Sequence, residues 1–328
     1  MRVALVAPAS CVPQVELQLG VRTLEDLGFQ VDIHPQCEKS HLFFAGTDRE
    51  RALAFFEAAF SEHAVVWSAR GGYGCFRILP LLQKWTKRFG IPPKKLLVGY
   101  SDATVLMEYV RSHWNWSILH APMPSMRTFS LLPSSELESL KGWIQKKPIQ
   151  RKERLEFWTP PARIKVTAPL VGGNLTVWNS LVGTAFLGDS KGSFLFLEDV
   201  DEALYRIDRM LKQLEFSGAF HGVLGIVLGN FSNCKDACPW VLKKSTVLHS
   251  VLRAPKPQEL KPLRTLLETQ VGLRMIFSEI GKKLRIPIAF GLPVGHGPEM
   301  AALPLGAKYC LTPEGNFDLV SWDWLEYS

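Results

Sequence analysis

The chain has no apolar run approaching the roughly 20 residues needed to cross a bilayer, so an ordinary membrane-spanning helix is excluded and no membrane partner is expected. Cysteine is sparse, with six in 328 residues. Of these, only Cys234 and Cys238 lie close together, while Cys11, Cys37, Cys75 and Cys310 are scattered. No second Cys or Cys/His pair completes a zinc set, and the thiols read as structural or incidental. The glycine-rich stretch Gly71-Gly72-Tyr73-Gly74 lacks the Lys-Ser/Thr of a P-loop and does not fit GxGxxG, so it is no phosphate cradle. Internal repeats and low-complexity tracts are absent. The start is apolar only over residues 3–7 before Pro8. A signal-peptide core needs roughly 7–15 apolar residues, so this start reads as a buried strand and a cytoplasmic protein is expected.

Charged residues make up 21% and hydrophobic residues 47%, the balance of a folded chain. The length fits two domains. A net charge of +7 invites a nucleic-acid reading, but the basic residues are spread along the chain. Local clusters such as Lys146-Lys147 and Arg151-Lys152 read as a solvated linker. Nucleic acid is therefore not the expected partner. The mildly basic surface is compatible with a substrate carrying several carboxylates.

The first part alternates strands and helices. Strands are expected at 3–7, 31–33, 64–68 and 96–99. Helices are expected over 15–27, stopped by Gly28, over 48–60 with Thr47 or Asp48 as N-cap, and from 103. The apolar face of the second helix is read as Leu53, Phe56, Ala59 and Phe60. Repeated strand, loop, helix units imply an α/β protein with a parallel sheet, whose function collects at the loops after the strand C-termini. From about 125 to 164 the pattern weakens amid prolines and charges. The domain reading is 1–125, a linker over 126–164, and a second unit over 165–328. In that unit strands are expected at 194–197, 225–229 and 288–290, and helices at 175–182 and 203–216. The polar, basic stretch over 232–285 reads as helix or loop.

Two features sit after strands. Gly99-Tyr100-Ser101-Asp102 follows Leu96-Leu97-Val98 and precedes a helix. That geometry lifts a serine hydroxyl into the open and places amides at a helix N-terminus, where they can stabilise an oxyanion. The familiar nucleophile elbow has glycine two residues after the serine, where this chain has Ala103. The alternative reading is that Ser101 or Asp102 merely caps the following helix. Arg70-Gly71-Gly72-Tyr73-Gly74 allows close backbone approach to an oxyanion or carboxylate, or is a structural turn. A serine nucleophile needs a base and an orienting acceptor. Among eight histidines, His296 stands out between glycines after a strand, with His120 second. Glu198 and Asp199 end the most hydrophobic strand of the second half, as catalytic groups or as a helix cap.

Together these pieces resemble the LD-carboxypeptidase family of serine peptidases, the S66 group that also holds microcin C immunity peptidases. The matching stretches are Ala45-Gly46-Thr47-Asp48, Ala69-Arg70-Gly71-Gly72-Tyr73-Gly74, Val98-Gly99-Tyr100-Ser101-Asp102 and Gly172-Gly173-Asn174-Leu175. They continue with Leu197-Glu198-Asp199-Val200, Tyr205-Arg206-Ile207-Asp208-Arg209-Met210, Gly291-Leu292-Pro293-Val294-Gly295-His296-Gly297 and Leu303-Pro304-Leu305-Gly306. The resemblance implies Ser101 as nucleophile, His296 as general base and Glu198 as its orienting carboxylate. It implies an oxyanion hole from the Asp102 amide and an amide of the Gly71-Gly72 loop. It further implies a flavodoxin-like N-terminal domain, a smaller C-terminal swivelling β/β/α domain, a homodimer, and no metal or organic cofactor. The substrate would be a muropeptide tetrapeptide losing terminal D-alanine in cell-wall recycling. An immunity-type peptidase and a catalytically silent muropeptide-binding protein are the alternatives. The basic stretch over 232–283 is longer than the family's usual connection and leaves specificity open.

Overall fold

A computed structural model describes residues 1–148, 152–235, 260–297 and 299–326, with side chains of 260–268 outside it. Cys238, His249, Arg151 and most of the non-helical part of the basic stretch therefore lie outside the described residues.

The first part runs β1 (Arg2–Val6), α1 (Gln14–Asp26), β2 (Gln30–Ile33), α2 (Asp48–Phe60), β3 (Val65–Ser68), α3 (Cys75–Phe89), β4 (Leu96–Gly99), α4 (Thr104–Trp114) and β5 (Ser117–His120). These strands pair in parallel in the order β5-β4-β3-β1-β2. Every residue of β3 and β4 is buried, the signature of a parallel sheet covered on both faces. Gly28, at φ +86°, stops α1 as expected. Thr47 caps α2, and the capping box with Glu50 is complete.

The buried face of α2 differs from the sequence reading. Phe56 and Ala59 are buried, but Leu53 and Phe60 are exposed, and Arg51 takes a fully buried place beside Ala52 and Phe55. Arg51 can sit there because its guanidinium donates to the carbonyls of Gly46, Pro8 and Gly74 and pairs with Asp48.

The weakly patterned stretch carries ordered elements. These are α5 (Ser134–Ile144), β6 (Glu153–Arg154) and β7 (Glu156–Phe157), with Leu140, Trp143, Ile144, Leu155 and Trp158 buried. Then follow β8 (Val166–Asn174), α6 (Leu175–Asn179), β9 (Phe194–Val200), α7 (Leu204–Phe216), β10 (Gly225–Ser232), α8 (Leu260–Leu284) and β11 (Ile288–Phe290). The chain ends with β12 (Leu303–Leu305), β13 (Lys308–Leu311), β14 (Asn316–Ser321) and α9 (Asp323–Glu326). A second sheet has the order β6-β14-β13-β8-β9-β10-β11-β7, with β8 to β11 parallel and the outer strands antiparallel. The two short strands of the weakly patterned stretch are its two edges.

β12 leaves the second sheet's run and pairs antiparallel with β5 of the first, Leu303 opposite His120. The two sheets are also joined where the Asn174 amide donates to Thr104 Oγ1 at 3.2 Å and the Gly188 amide donates to Glu108 at 2.9 Å. The architecture is mixed α/β. Among the described residues, no helix is long and apolar enough to cross a membrane.

Candidate active site

β4 ends at Gly99, and Ser101 follows in the left-handed region at φ +60°. A non-glycine residue there is held against its own preference, as in the strained turn that exposes a nucleophile. The glycine loop after β3 lies directly against it. A Cβ added at Gly71 would stand 3.2 Å from Ser101 Oγ and 3.0 Å from Met123 Cε, so only glycine leaves the hydroxyl its space. The loop is braced from behind. The Tyr73 amide donates to Ser10 Oγ at 3.1 Å, Arg70 donates to the Cys11 carbonyl at 2.6 Å, and Ser125 Oγ donates to the Ala69 carbonyl at 2.6 Å.

Asp102 does not cap the helix that follows it. Its carboxylate accepts from the Cys75 amide at 2.8 Å, capping α3 across the glycine loop and locking that loop to the serine turn. Burial pushes the Asp102 carboxyl up to about 6, against the pull of that amide.

Glu198 and Asp199 are neighbours on β9, so their side chains leave opposite faces of the sheet. Asp199 caps α6, accepting from the Thr176 amide at 3.0 Å and its hydroxyl at 2.7 Å, and also accepts from Asn174 at 3.1 Å. Glu198 is fully buried and faces His296, accepting from its Nδ1 at 2.8 Å and its backbone amide at 3.1 Å, both on Oε2. Gly295 makes this approach possible. It has φ +108°, and a Cβ there would fall 2.5 Å from the Glu198 carboxylate. Burial works against both charges. The hydrogen bond and mutual attraction prevail, lowering the Glu198 pKa and raising that of His296. With Nδ1 hydrogen-bonded to Glu198, Nε2 is the ring nitrogen left free to accept a proton.

Tyr100 brings the two halves together. Its ring centroid is 4.7 Å from that of His296 and 5.8 Å from that of His120. Ser101 and His296 thus flank one buried tyrosine, although among the described residues no hydrogen bond joins their side chains. Gly71 lies against Ser101, while Gly72 turns toward Ser10, where an added Cβ would stand 2.3 Å from Oγ.

His120 has a place in the site that sequence reasoning noticed without using. It is buried at the end of β5, with its Nε2 4.0 Å from Glu198 Oε1. Ser10 and Arg51, which brace the glycine loop, were missed altogether. Ser10 offered no signal, because its partner lies 63 residues away. Among the described residues, no three His, Cys, Asp or Glu side chains come together as a metal-ligand set.

Residues 3–121 match the model of the LD-carboxypeptidase N-terminal domain, and residues 167–311 that of the LD-carboxypeptidase C-terminal domain. The chain is 31% identical over 336 residues to the murein tetrapeptide carboxypeptidase of Pseudomonas aeruginosa, covering 96% of this chain and 94% of that protein. It is 32% identical over 315 residues to the "probable murein peptide carboxypeptidase" of Bacillus subtilis, covering 93% and 87%. The solved muramoyltetrapeptide carboxypeptidase from Oxalobacter formigenes aligns with a TM-score of 0.76 at 27% identity, over 98% of this chain and 99% of that one. The structure of MccF in complex with glutamyl sulfamoyl guanosine aligns with a TM-score of 0.72 at 19% identity over 98% and 96%, a likeness of fold alone. With both domain models matched in order and relatives above 30% identity along nearly its whole length, the chain belongs to the LD-carboxypeptidase family of serine peptidases and is an enzyme, a peptidase.

Proposed function

We propose that this enzyme is an LD-carboxypeptidase that hydrolyses the amide bond between an L-configured centre and the terminal D-alanine of a muropeptide tetrapeptide, in cell-wall recycling in the cytoplasm. The observation that carries the reading is the left-handed Ser101 beside Gly71, whose neighbour Tyr100 packs on a histidine with its Nδ1 held by the buried Glu198. Ser101 Oγ attacks the scissile carbonyl carbon while His296 Nε2 takes its proton. The oxyanion forms against the amide of Asp102 and one from Gly71 or Gly72. Collapse breaks the C–N bond, and the imidazolium gives its proton to the departing D-alanine amine. Water, deprotonated by the same histidine, then cleaves the acyl-enzyme ester and returns the Ser101 proton. Glu198 holds the imidazole in one tautomer and balances its charge in each half-reaction. Substrate binding closes Ser101 and His296 to hydrogen-bond reach, as is common for catalytic pairs that are looser without substrate.

The finer architecture belongs to the same proposal. It comprises a flavodoxin-like domain over 1–125, a linker over 126–164, and a smaller swivelling β/β/α domain over 165–328, assembled as a homodimer. Sedimentation velocity at micromolar concentration is expected to give twice the chain mass.

Mass spectrometry of defined tetrapeptides ending in D- or L-alanine tests the activity. Release of D-alanine alone is expected, and Ser101→Ala should lower turnover by about 10³-fold or more with the fold intact. Wild-type rates in that variant, or release of L-alanine only, would sink the reading. A peptidyl-nucleotide substrate assayed in parallel separates it from an immunity-type peptidase.

A further inference from the structure

Glu198 spends only one of its oxygens on His296. Among the described residues Oε1 has no hydrogen-bond partner, and it is shielded from solvent on a residue with no exposed surface. An unpaired oxygen on a buried carboxylate is costly, and proteins rarely leave one so. Beside it stands His120, whose own Nε2 is equally buried and, among the described residues, equally without a partner. The two atoms face each other at 4.0 Å. The His120 ring has little freedom to turn away. It meets Phe196 edge-on at 5.3 Å and Tyr100 at 5.8 Å, and its backbone is paired on both sides, with Gly99 and with Leu303. A movement of about 1 Å by either side chain closes the gap to an ordinary hydrogen bond.

We infer that His120 is a positioning residue of the catalytic site, whose Nε2–H donates to Glu198 Oε1 and holds the carboxylate aimed at His296 as charge develops on the imidazole. The inference rests on the Ser101–His296–Glu198 reading above. His120 acts as a neutral dipole, because burial pushes it down to about 4. A neutral donor steadies the carboxylate without competing with the imidazolium for it. The other titratable groups around the pair are Tyr100, which contacts both rings, and Asp199 and Asp201, whose charges favour protonated His296.

The sign of the effect follows from which state needs the donor most. Glu198 is least compensated when His296 is neutral, so losing the donor destabilises that state most. The apparent pKa of the pair then rises, and the acid limb of kcat/KM moves to higher pH. His120→Phe keeps the ring and removes the donor, whereas His120→Gln keeps a donor at similar reach. In His120→Phe, kcat is expected to fall about 10–100-fold with KM little changed, and the acid limb to move up by about one pH unit. His120→Gln should restore most of the rate and return the limb. NMR titration of His296 in the same proteins reads the shift without any substrate, so it tests the inference even if the tetrapeptide proves not to be cleaved. An unshifted His296 titration in His120→Phe overturns the inference, as does equal slowing in both variants with an unmoved limb. Should His120→Phe fail to fold, His120→Met serves as the donor-free variant.

Discussion

Glu198 and Asp199 differ by one step along β9, and the pleat sends one toward His296 and the other to the N-terminus of α6. Similar residues thus acquire opposite work from the side of the sheet they leave. The shifts at the pair set the pH behaviour. The pKa of His296 is raised above its ordinary 6.5, and in its proposed role as base it acts only when neutral. kcat/KM should therefore climb with pH through a value above 6.5 and level off beyond it, falling tenfold per unit on the acid side. Glu198→Gln removes the attraction that raises the histidine while leaving its burial, so the limb should shift below the wild-type position. The amide can also donate to Nδ1 and favour the wrong tautomer, so kcat should fall by about 10³–10⁴-fold. A pH–rate profile of both proteins checks this, and an unmoved limb in the variant counts against the pairing.

At the scale of elements, Ser101 and His296 ride on segments that follow strands β4 and β11 while Glu198 sits within β9, and close packing fixes each one. The segment after β11 is pinned to β10 where the Asn230 amide donates to the Val294 carbonyl at 2.8 Å and where Gly229 leaves no room for a side chain. Gly295 then turns the backbone onto Glu198. Gly295→Ala places a methyl group in the carboxylate and strains a left-handed residue, which costs about 1–3 kcal/mol for the backbone alone. Turnover should drop about 10²-fold or more through misplacement of His296, with a lowered Tm, while the fold persists. Activity assays beside thermal melts check it, and a variant with wild-type kcat would show that the loop tolerates the side chain.

Across the whole molecule, β12 is the strand that ties the halves, beside the hydrogen bonds of Asn174 and Gly188 to α4. It comes from near the end of the chain, yet it completes the edge of the first sheet beside β5, next to His120. Ser101 and His296, the proposed nucleophile and base, are thereby mounted on one continuous framework. A segment spanning 1–125 alone would leave the β5 edge unpaired, and an exposed edge invites association. That segment should elute as aggregate or refold without a cooperative transition, whereas the full chain does not. Size-exclusion chromatography with light scattering decides it, and a monomeric, cooperatively folding segment would mean that β12 is dispensable.

Local signals were enough for much of this. Strand, loop and helix succession over the first 120 residues, the Gly28 stop and the Thr47 cap are written in neighbouring residues, because turn chemistry and capping act over three or four positions. The serine turn and the flanking glycines of His296 were legible for the same reason, and eight ordered motifs carried the family. Contacts distant in sequence were not. The buried face of α2 holds Arg51 because carbonyls from three separate loops converge on it, so apolar periodicity chose Leu53 and Phe60 instead. The edges of the second sheet lie in a stretch whose two-residue strands, β6 and β7, are too short to show alternation. Asp102 caps a helix 27 residues back. His120 meets Glu198 across 78 positions of chain, a pairing set by sheet order and burial. The sequence by itself determined which residues could do chemistry and the local turns that expose them. Only the tertiary structure decided which of them face one another, because that depends on how two sheets pack and where the last strands return.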